Sequence, residues 1–339
     1  MGPFFRRHKY FRYVVYCLGG FLALILVLFL VLSTYVYFNK KKLVDHAASE
    51  IGTLIGGNIQ IGDITVSILH NFPNLSIALK NITVSDSLVA QNKHPLIHAE
   101  TIFVRLNLFK LLTRKVSLNK IEIENAGFYL FTDSSGYTNG YLLQRKNKQE
   151  SPQAENEEID NILNKIEVHN VTVTLEDRIK GKLFDFDIHS LYAQGHYNDS
   201  TIIFNLKNSI LIKDLGFNLP KGSFAHGKMF EGEFAVRYAP RTKSLSFEDI
   251  PVEISNHAFA FSGAFVFGTA QQFSLKIVSK DILVDFAKTL LTEKIAKSIS
   301  IVTVKAPVDV VASISGGLQG GEPLIVVDWN TKNLSLIHI

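Results

Sequence analysis

The sequence predicts a mainly β protein: an N-terminal membrane-spanning helix, then a long antiparallel meander with a few amphipathic helices. Three observations predict it. Residues 13–38 contain no charged side chain. From residue 58 onward the apolar pattern has period two, in runs of about 6–12 residues punctuated by Gly, Asn or Asp. Helical period returns in only one later stretch. Composition agrees, with 47% hydrophobic and 19% charged residues among 339 and a mean hydropathy of +0.16, enough apolar material for a large core.

The span comes first. Phe21–Leu32 is almost wholly aliphatic, and 26 uncharged residues as a helix reach about 39 Å, more than a hydrocarbon core of about 30 Å. Tyr13, Tyr16, Tyr35 and Tyr37 lie near the ends, where amphipathic rings favour the headgroup zone, and Phe21, Leu26 and Leu30 lie inside. No Ala-x-Ala-like site follows, so the segment reads as a single-pass anchor rather than a cleaved signal. Cys17 within it is a small apolar residue. Residues 1–12 form a basic tail, expected in the cytoplasm, with the bulk of the chain on the far side. Lys and Arg number 35 against 31 Asp and Glu, but seven of the cations fall in residues 1–42, where there is no acid. The remaining 297 residues carry 28 basic against 31 acidic side chains, which excludes a nucleic-acid footprint. A lone Cys excludes an internal disulfide framework.

Residues 43–57 read as a short amphipathic capping helix, with Val44, Ala47, Ala48, Ile51, Leu54 and Ile55 on one stripe and Gly56-Gly57 as its stop. A first β block follows over 58–143. Ile59 and Ile61 alternate and then resume at Ile64, Val66 and Ile68, so Gly62-Asp63 marks a turn or bulge. Leu75, Ile77 and Leu79, then Ile102, Val104, Leu106 and Leu108, then Ile121 and Ile123 continue the alternation. Residues 144–161 form a polar, low-aliphatic loop. A second β block spans 162–280, an amphipathic helix 281–299 with Asp281 as N-cap, and a further β block opens at 300–339. The chain stops in mid-pattern, which points to a C-terminally truncated fragment. Ser335–Ile339 resembles translated adapter sequence and carries no functional weight.

No catalytic signature stands on a strand-to-helix junction. His94 with His98 and His189 with His196 are read as loop or strand histidines rather than metal ligands. Glu122 with Glu124, and Asp185 with Asp187, share strand faces as paired carboxylates would, but that spacing also describes a water-facing side. Sequons at Asn74, Asn81, Asn170, Asn198 and Asn333 are expected by chance in Asn-rich β sequence. The expectation is no enzyme, no metal and no cofactor. The excess apolar strand has two outlets: closure into a sandwich or barrel, or an open gutter with acyl chains as the missing half of its core.

The order of phrases bears on that choice. After the span come Ala48-Ser-Glu-Ile-Gly-Thr-Leu-Ile55 and Ile59-Gln-Ile-Gly-Asp-Ile-Thr-Val66, then the stretches 71–86 (from Asn71-Phe-Pro-Asn-Leu-Ser) and 98–112, and Val116–Gly127, closing on Asp133-Ser-Ser-Gly-Tyr-Thr-Asn139. This layout over about 43–140 resembles the AsmA family of bacterial envelope proteins, and the Lys-, Asn- and Phe-rich composition is like members from Bacteroidota. The family is similar in architecture to TamB and to chorein-type bridge proteins. The resemblance implies a curled, repeating β-groove anchored in the inner membrane, with its body in the periplasm. It implies membrane phospholipid as the ligand, and phospholipid transfer between inner and outer membranes or outer-membrane biogenesis as the role. A non-catalytic scaffold for outer-membrane or periplasmic envelope proteins is the alternative. On this reading Ile64, Val66, Ile68, Leu75, Ile77, Leu79, Ile102, Val104, Leu106, Ile121 and Ile123 line the groove in the first block.

Overall fold

A computed structural model describes individual positions between residues 13 and 48 and residues 57–67, 76–86, 88–89, 94–106, 118–143, 165–198, 200–268, 271–300, 304–318 and 322–331. Thirteen strands form one open sheet in strict chain order, from β1 (Asn58–Ser67) and β2 (Ser76–Ser85) to β12 (Val308–Gly317) and β13 (Leu324–Asn330). Between them lie β3 (Ile97–Leu106), β4 (Leu118–Thr132), β5 (Lys165–Asp177), β6 (Lys182–Asn198), β7 (Thr201–Gly216), β8 (Lys228–Ala239), β9 (Ser244–Ile254), β10 (His257–Val266) and β11 (Gln272–Ile282). Because β1 and β13 are its two edges, the sheet closes into neither barrel nor sandwich.

Every neighbouring pair is antiparallel except β4 with β5, which run parallel from Lys120↔Lys165 to Thr132↔Asp177. This corrects the all-antiparallel expectation. A parallel pair needs a connection that carries the chain back to the starting rim, and the long polar stretch after Leu143 supplies the length. The parallel ladder also joins the two expected blocks into one sheet.

The chain leaves β4 through a tightly specified turn. Asp133 Oδ1 accepts hydrogen bonds from Ser135 N (2.8 Å), Ser135 Oγ (2.7 Å) and Tyr137 N (3.0 Å), and Gly136 takes φ +93°. The 3-10 turn Asn139–Leu143 follows. Asn139 is buried: its Nδ2 donates to Tyr129 O (2.7 Å) and its Oδ1 accepts from Phe131 N (3.0 Å). Its side chain thus stands in for β3, whose pairing with β4 ends at Ile97↔Phe128.

A seam crosses the first six strands. Gly62, Asn81, Glu100, Asn125, Asn170 and His189 drop out of the pairing at one level. Asn81, Asn125 and Asn170 have φ of 51°, 51° and 54°, a left-handed conformation that Asn tolerates better than most residues. Asn125 Nδ2 donates to Glu100 Oε2 (2.8 Å) and Asn170 Nδ2 to Asn125 Oδ1 (3.2 Å), so the seam carries a side-chain ladder. A Cβ at Gly62 would stand 3.0 Å from the Asn81 Cβ. The break at Gly62-Asp63 is this seam, inside a strand.

Residues 33–45 are helical without a break (α1), as is every described position from 13 to 31 and at 48. The expected anchor and capping helix therefore join through Asn39–Lys42. Among the described residues no helix is long and apolar enough to cross a membrane. Val36, Leu43, Val44 and Ala48 pack on Ile61, Ile64, Ile82 and Ala99, and Lys40 Nζ lies 2.7 Å from Asp63. Packing holds the helix down: buried aliphatic side chains contribute about 1.5–3 kcal/mol each, a half-exposed ion pair under about 1 kcal/mol. The expected helix over 281–299 is two short ones, α2 (Val284–Lys288) and α3 (Glu293–Ile299). Asp281 is not an N-cap. It sits inside β11 at φ 52°, and Thr292, whose side chain accepts from Ile295 N, caps α3. Cys17, the loop 144–161 and Ser335–Ile339 lie outside the described residues.

On the face away from α1, Lys120, Glu122 and Glu167 are buried. Lys120 Nζ lies 2.9 Å from Glu122 and 2.5 Å from Glu167, and Lys165 Nζ lies 3.0 Å from Glu167. Glu122 thus faces an ion pair and not open water, a correction to the solvent-facing reading. Burial pushes the Glu167 carboxyl up, but hydrogen bonds and charge from Lys120 and Lys165 overcome that and hold it below the usual glutamate range. Replacing one partner strands a buried charge at a cost of about 3–5 kcal/mol. Lys120→Ala is therefore expected to lower unfolding free energy by about 3 kcal/mol in denaturant titrations. With a depressed native pKa, the stabilisation from Glu167 is complete above the ordinary glutamate range and is lost as pH falls through its native value. A Glu167→Gln variant should show a smaller loss of melting temperature on acidification than the wild type.

Candidate functional site: the apolar face

Register places the inward side chains in continuous rows. Ile64 pairs with Leu79, Leu79 with Ile102 and Ile102 with Ile123; Val66 pairs with Ile77, Ile77 with Val104 and Val104 with Ile121. All eight of these expected groove residues share one face. Of the other three, Ile68 and Leu75 lie outside the described residues, and Leu106 is described only by its backbone within β3.

The rows run on. Ile123 pairs with Val168, Val168 with Leu191 and Ile121 with Ile166; nearer the other rim, Phe128 pairs with Val173, Val173 with Phe186 and Phe186 with Ile212. Beyond them Leu206 faces Phe234, Val252 faces Phe259, Leu275 faces Ile314 and Val310 faces Trp329. Sequence reasoning had named groove residues only in the first block, although the same alternation was visible at Phe184, Phe186 and Ile188. The seam makes this continuity possible. Between Ile61 and Ile64, Leu79 and Ile82, and Val168 and Val171, the inward step is three residues rather than two, so the apolar residues on both sides of the kink keep one face.

Several glycines on this face lie beneath aromatic rings. A Cβ at Gly195 would stand 3.1 Å from the Phe204 ring, at Gly232 2.9 Å from Phe234, at Gly263 3.0 Å from Phe247 and at Gly316 3.4 Å from Phe273. Rings laid across glycines restore the apolar cover that glycine lacks.

Among the described residues, protein covers only part of the face. α1 packs on β1–β4 below the seam, and Leu142 from the 3-10 turn packs with Val84 and Leu96 above it. In the second half Val284, Phe286, Ala287 and Leu290 pack with Ile250, Val252, Ile254, Phe259 and Val308. The inward residues of β5, β6 and β7 enter none of these clusters. Phe184, Phe186, Ile188, Leu191, Phe204, Leu206 and Ile210 are half-buried.

One contact reports the sheet's shape. After β7, Lys221 Nζ lies 2.6 Å from Glu322 Oε1 and Asn218 Nδ2 lies 3.0 Å from the same atom, where Lys221 holds the carboxyl below its usual range. β7 ends at the rim that carries Thr132, whereas Glu322 leads into β13 at the opposite rim. Opposite rims six strands apart meet only if the sheet coils. A twist of about 20–25° per strand accumulates to ~120–150° over six steps, enough to swing one rim across the other.

The carboxylates and histidines singled out in the sequence have the following partners. Asp185 and Asp187 accept from Thr174 (3.0 Å) and Thr172 (2.8 Å) and share Lys213 at 3.2 and 3.7 Å. His94 stacks on Tyr129 at 4.4 Å, and His98 Nδ1 lies 3.3 Å from Thr83 Oγ1. Glu122, Glu167 and His169 bring ligand atoms within 4.8 Å of one another, but Lys120 already contacts both carboxylates. At the N-terminus Tyr13, Leu26, Leu30, Tyr35 and Tyr37 are each more than half exposed, and Phe21 lies outside the described residues.

The model of the AsmA family matches residues 8–197, more than half of the chain, taking in all of β1–β5 and β6 up to its last residue but one. The protein belongs to the AsmA family. In this AsmA member the match extends past the resemblance over 43–140 and takes in the parallel β4–β5 junction. No curated protein and no solved structure matches the chain.

Carbodiimide treatment of the full-length AsmA-family chain should couple Lys221 directly to Glu322, found as a linked peptide pair by mass spectrometry. A flat sheet would hold these side chains too far apart for that product.

Proposed function

We propose that the apolar face is a path for acyl chains and that this AsmA-family protein, anchored in the bacterial inner membrane with its sheet in the periplasm, serves phospholipid transfer between the inner and outer membranes or outer-membrane biogenesis. The observation that carries the reading is the apolar stretch of β5–β7, half-buried apart from Val168, Val171 and Ile212, which lies between the packed clusters and enters none of them among the described residues. Each methylene removed from water there returns about 0.8 kcal/mol, so a chain of ~15 methylenes is held by roughly 10 kcal/mol in total. Such contact has no preferred register, and a chain can slide along the rows.

The anchor reading rests on α1 and the helical positions before it. Val36 and Leu43 face the sheet, whereas Leu26, Val27, Leu30, Val31, Tyr35 and Tyr37 expose apolar surface that water disfavours and a bilayer accepts. Twelve strand steps at ~4.8 Å extend the path about 58 Å. That length suits one segment of a longer bridge, or one completed by a partner. We read the role as non-enzymatic: the face offers surface, and on the other side Glu122, Glu167, Asp185 and Asp187 are held in ion pairs.

A scaffold for envelope proteins is the second reading, favoured by β13, whose residues are all exposed along an unpaired edge.

Phe186→Asp and Ile210→Asp each place a carboxylate on the half-buried rows. Native mass spectrometry of detergent-extracted protein should show co-purifying phospholipid falling at least about tenfold in both, since desolvating a carboxylate costs well over 1.4 kcal/mol. Undiminished lipid in variants with wild-type circular dichroism overturns the acyl-chain path. Protein cross-linked along β13 with no lipid retained supports the scaffold instead.

A further inference from the structure

One inward position on β7 breaks the apolar row. Phe204, Leu206, Ile210 and Ile212 share the inward face with Asn208, which pairs with Leu191 on β6 and with Gly232 on β8. Asn208 is 8% exposed, and its Oδ1 is buried without a hydrogen-bond partner. Buried acceptors of this kind are rare in folded proteins, because a group taken out of water normally finds a donor. Gly232 beside it contributes no side chain, and the Phe234 ring folds back over that glycine, so β8 offers no side-chain donor at this position. Leu191 cannot do so either. The other inward polar residue with a comparable setting, Ser279, has its partner: its hydroxyl donates to Ala258 O at 3.0 Å.

We propose that Asn208 is a polar station on the acyl path, selecting lipids that carry a neutral hydrogen-bond donor, a hydroxyl or an amide N–H, within the acyl region. This rests on the acyl-chain reading and adds a specificity to it. The donor is neutral because the surrounding Leu191, Leu206, Ile210 and Phe234 offer no counter-charge, and an ammonium headgroup would lose its hydration there without compensation. It belongs to the acyl region because Asn208 sits among half-buried apolar rows and not at either rim. An ester-linked, unsubstituted chain offers acceptors only and leaves Oδ1 as it found it. A hydroxylated or amide-linked chain satisfies Oδ1 and gains a preferred register at β7, on a face that otherwise permits sliding.

The test compares methyl palmitate with methyl hydroxypalmitate, neutral probes of equal chain length that differ by one hydroxyl, in displacement of a fluorescent fatty acid from the detergent-solubilised full-length chain. Wild type should prefer the hydroxylated probe by about fivefold, the worth of one hydrogen bond of about 1 kcal/mol. Asn208→Leu should bind both probes equally. Equal affinities in wild type, or a preference that survives in Asn208→Leu, overturns the assignment of Asn208 and leaves the acyl path standing; in the first case an ordered water is what pairs with Oδ1, and in the second the hydroxyl is recognised elsewhere on the path. Failure of wild type to bind either probe overturns the acyl path and the station with it.

Discussion

A β-sheet with one apolar face must hide that face, and every other feature of this molecule follows from how it does so. The backbone is satisfied strand by strand from β1 to β13, so hydrogen bonding never forces the two edges together. A barrel would bury the apolar rows at the cost of fixing the strand number. An open sheet leaves length free to vary, but then something other than a facing sheet must cover the rows. Here the cover is borrowed from the connections: α1 before β1, the 3-10 turn after β4, and α2 with α3 between β11 and β12. Each is short beside the sheet. The region between them is covered by none of these.

The seam and the coil act together on that half-buried region. A three-residue inward step across Gly62, Asn81, Glu100, Asn125 and Asn170 lets each strand bend without turning an apolar side chain outward. Bends at the same level in adjacent strands add up, as local twist does at bulges. The Glu322 contact with Lys221 and Asn218 shows the accumulated rotation bringing one rim to the other. That pair is exposed and contributes little energy. Its meaning is geometric: a sheet whose rims meet has a flank that is closed at one point and open beside it.

Much of this was legible in the residues. Period-two alternation located nearly all the strands, since an apolar face is written directly into every second side chain. The eight described groove residues of the first block fell on one face because their spacing is local. What the sequence hid was whatever depends on partners far along the chain. The parallel β4–β5 pair leaves no local mark: Ile121 and Ile166 look the same whichever way their strand runs. Burial of Glu122 depends on Lys120 and on Glu167, more than forty residues later. Asp281 has the side chain of an N-cap, yet the ladder with β12 extends to Ile282↔Val308 and claims the position for a strand. The seam did have a signal. Apolar-x-Asn-apolar recurs at Leu79–Ile82, Ile123–Ala126 and Val168–Val171, and Asn in the left-handed region is what joins the two phases.

The same logic separates the two faces by function. Opposite α1, charge is buried only where it is paired, as with Lys120 between two glutamates, and such a pair fixes register because any slip would strand an ion in a poorly hydrated place. On the apolar side there is almost nothing to fix a register. Leu, Ile, Val and Phe rows tolerate displacement of whatever lies on them, since contact area hardly changes when an aliphatic chain moves by one strand. A polar interruption on that side therefore has a different meaning from one on the other. Its side-chain oxygen gains no partner from the neighbouring strands, so on the proposed reading its effect is on what lies along the rows. On the acyl-path reading proposed above, the unpaired Oδ1 of Asn208 is kept only at a cost in stability, and that cost is recovered when a bound chain supplies the missing hydrogen-bond donor.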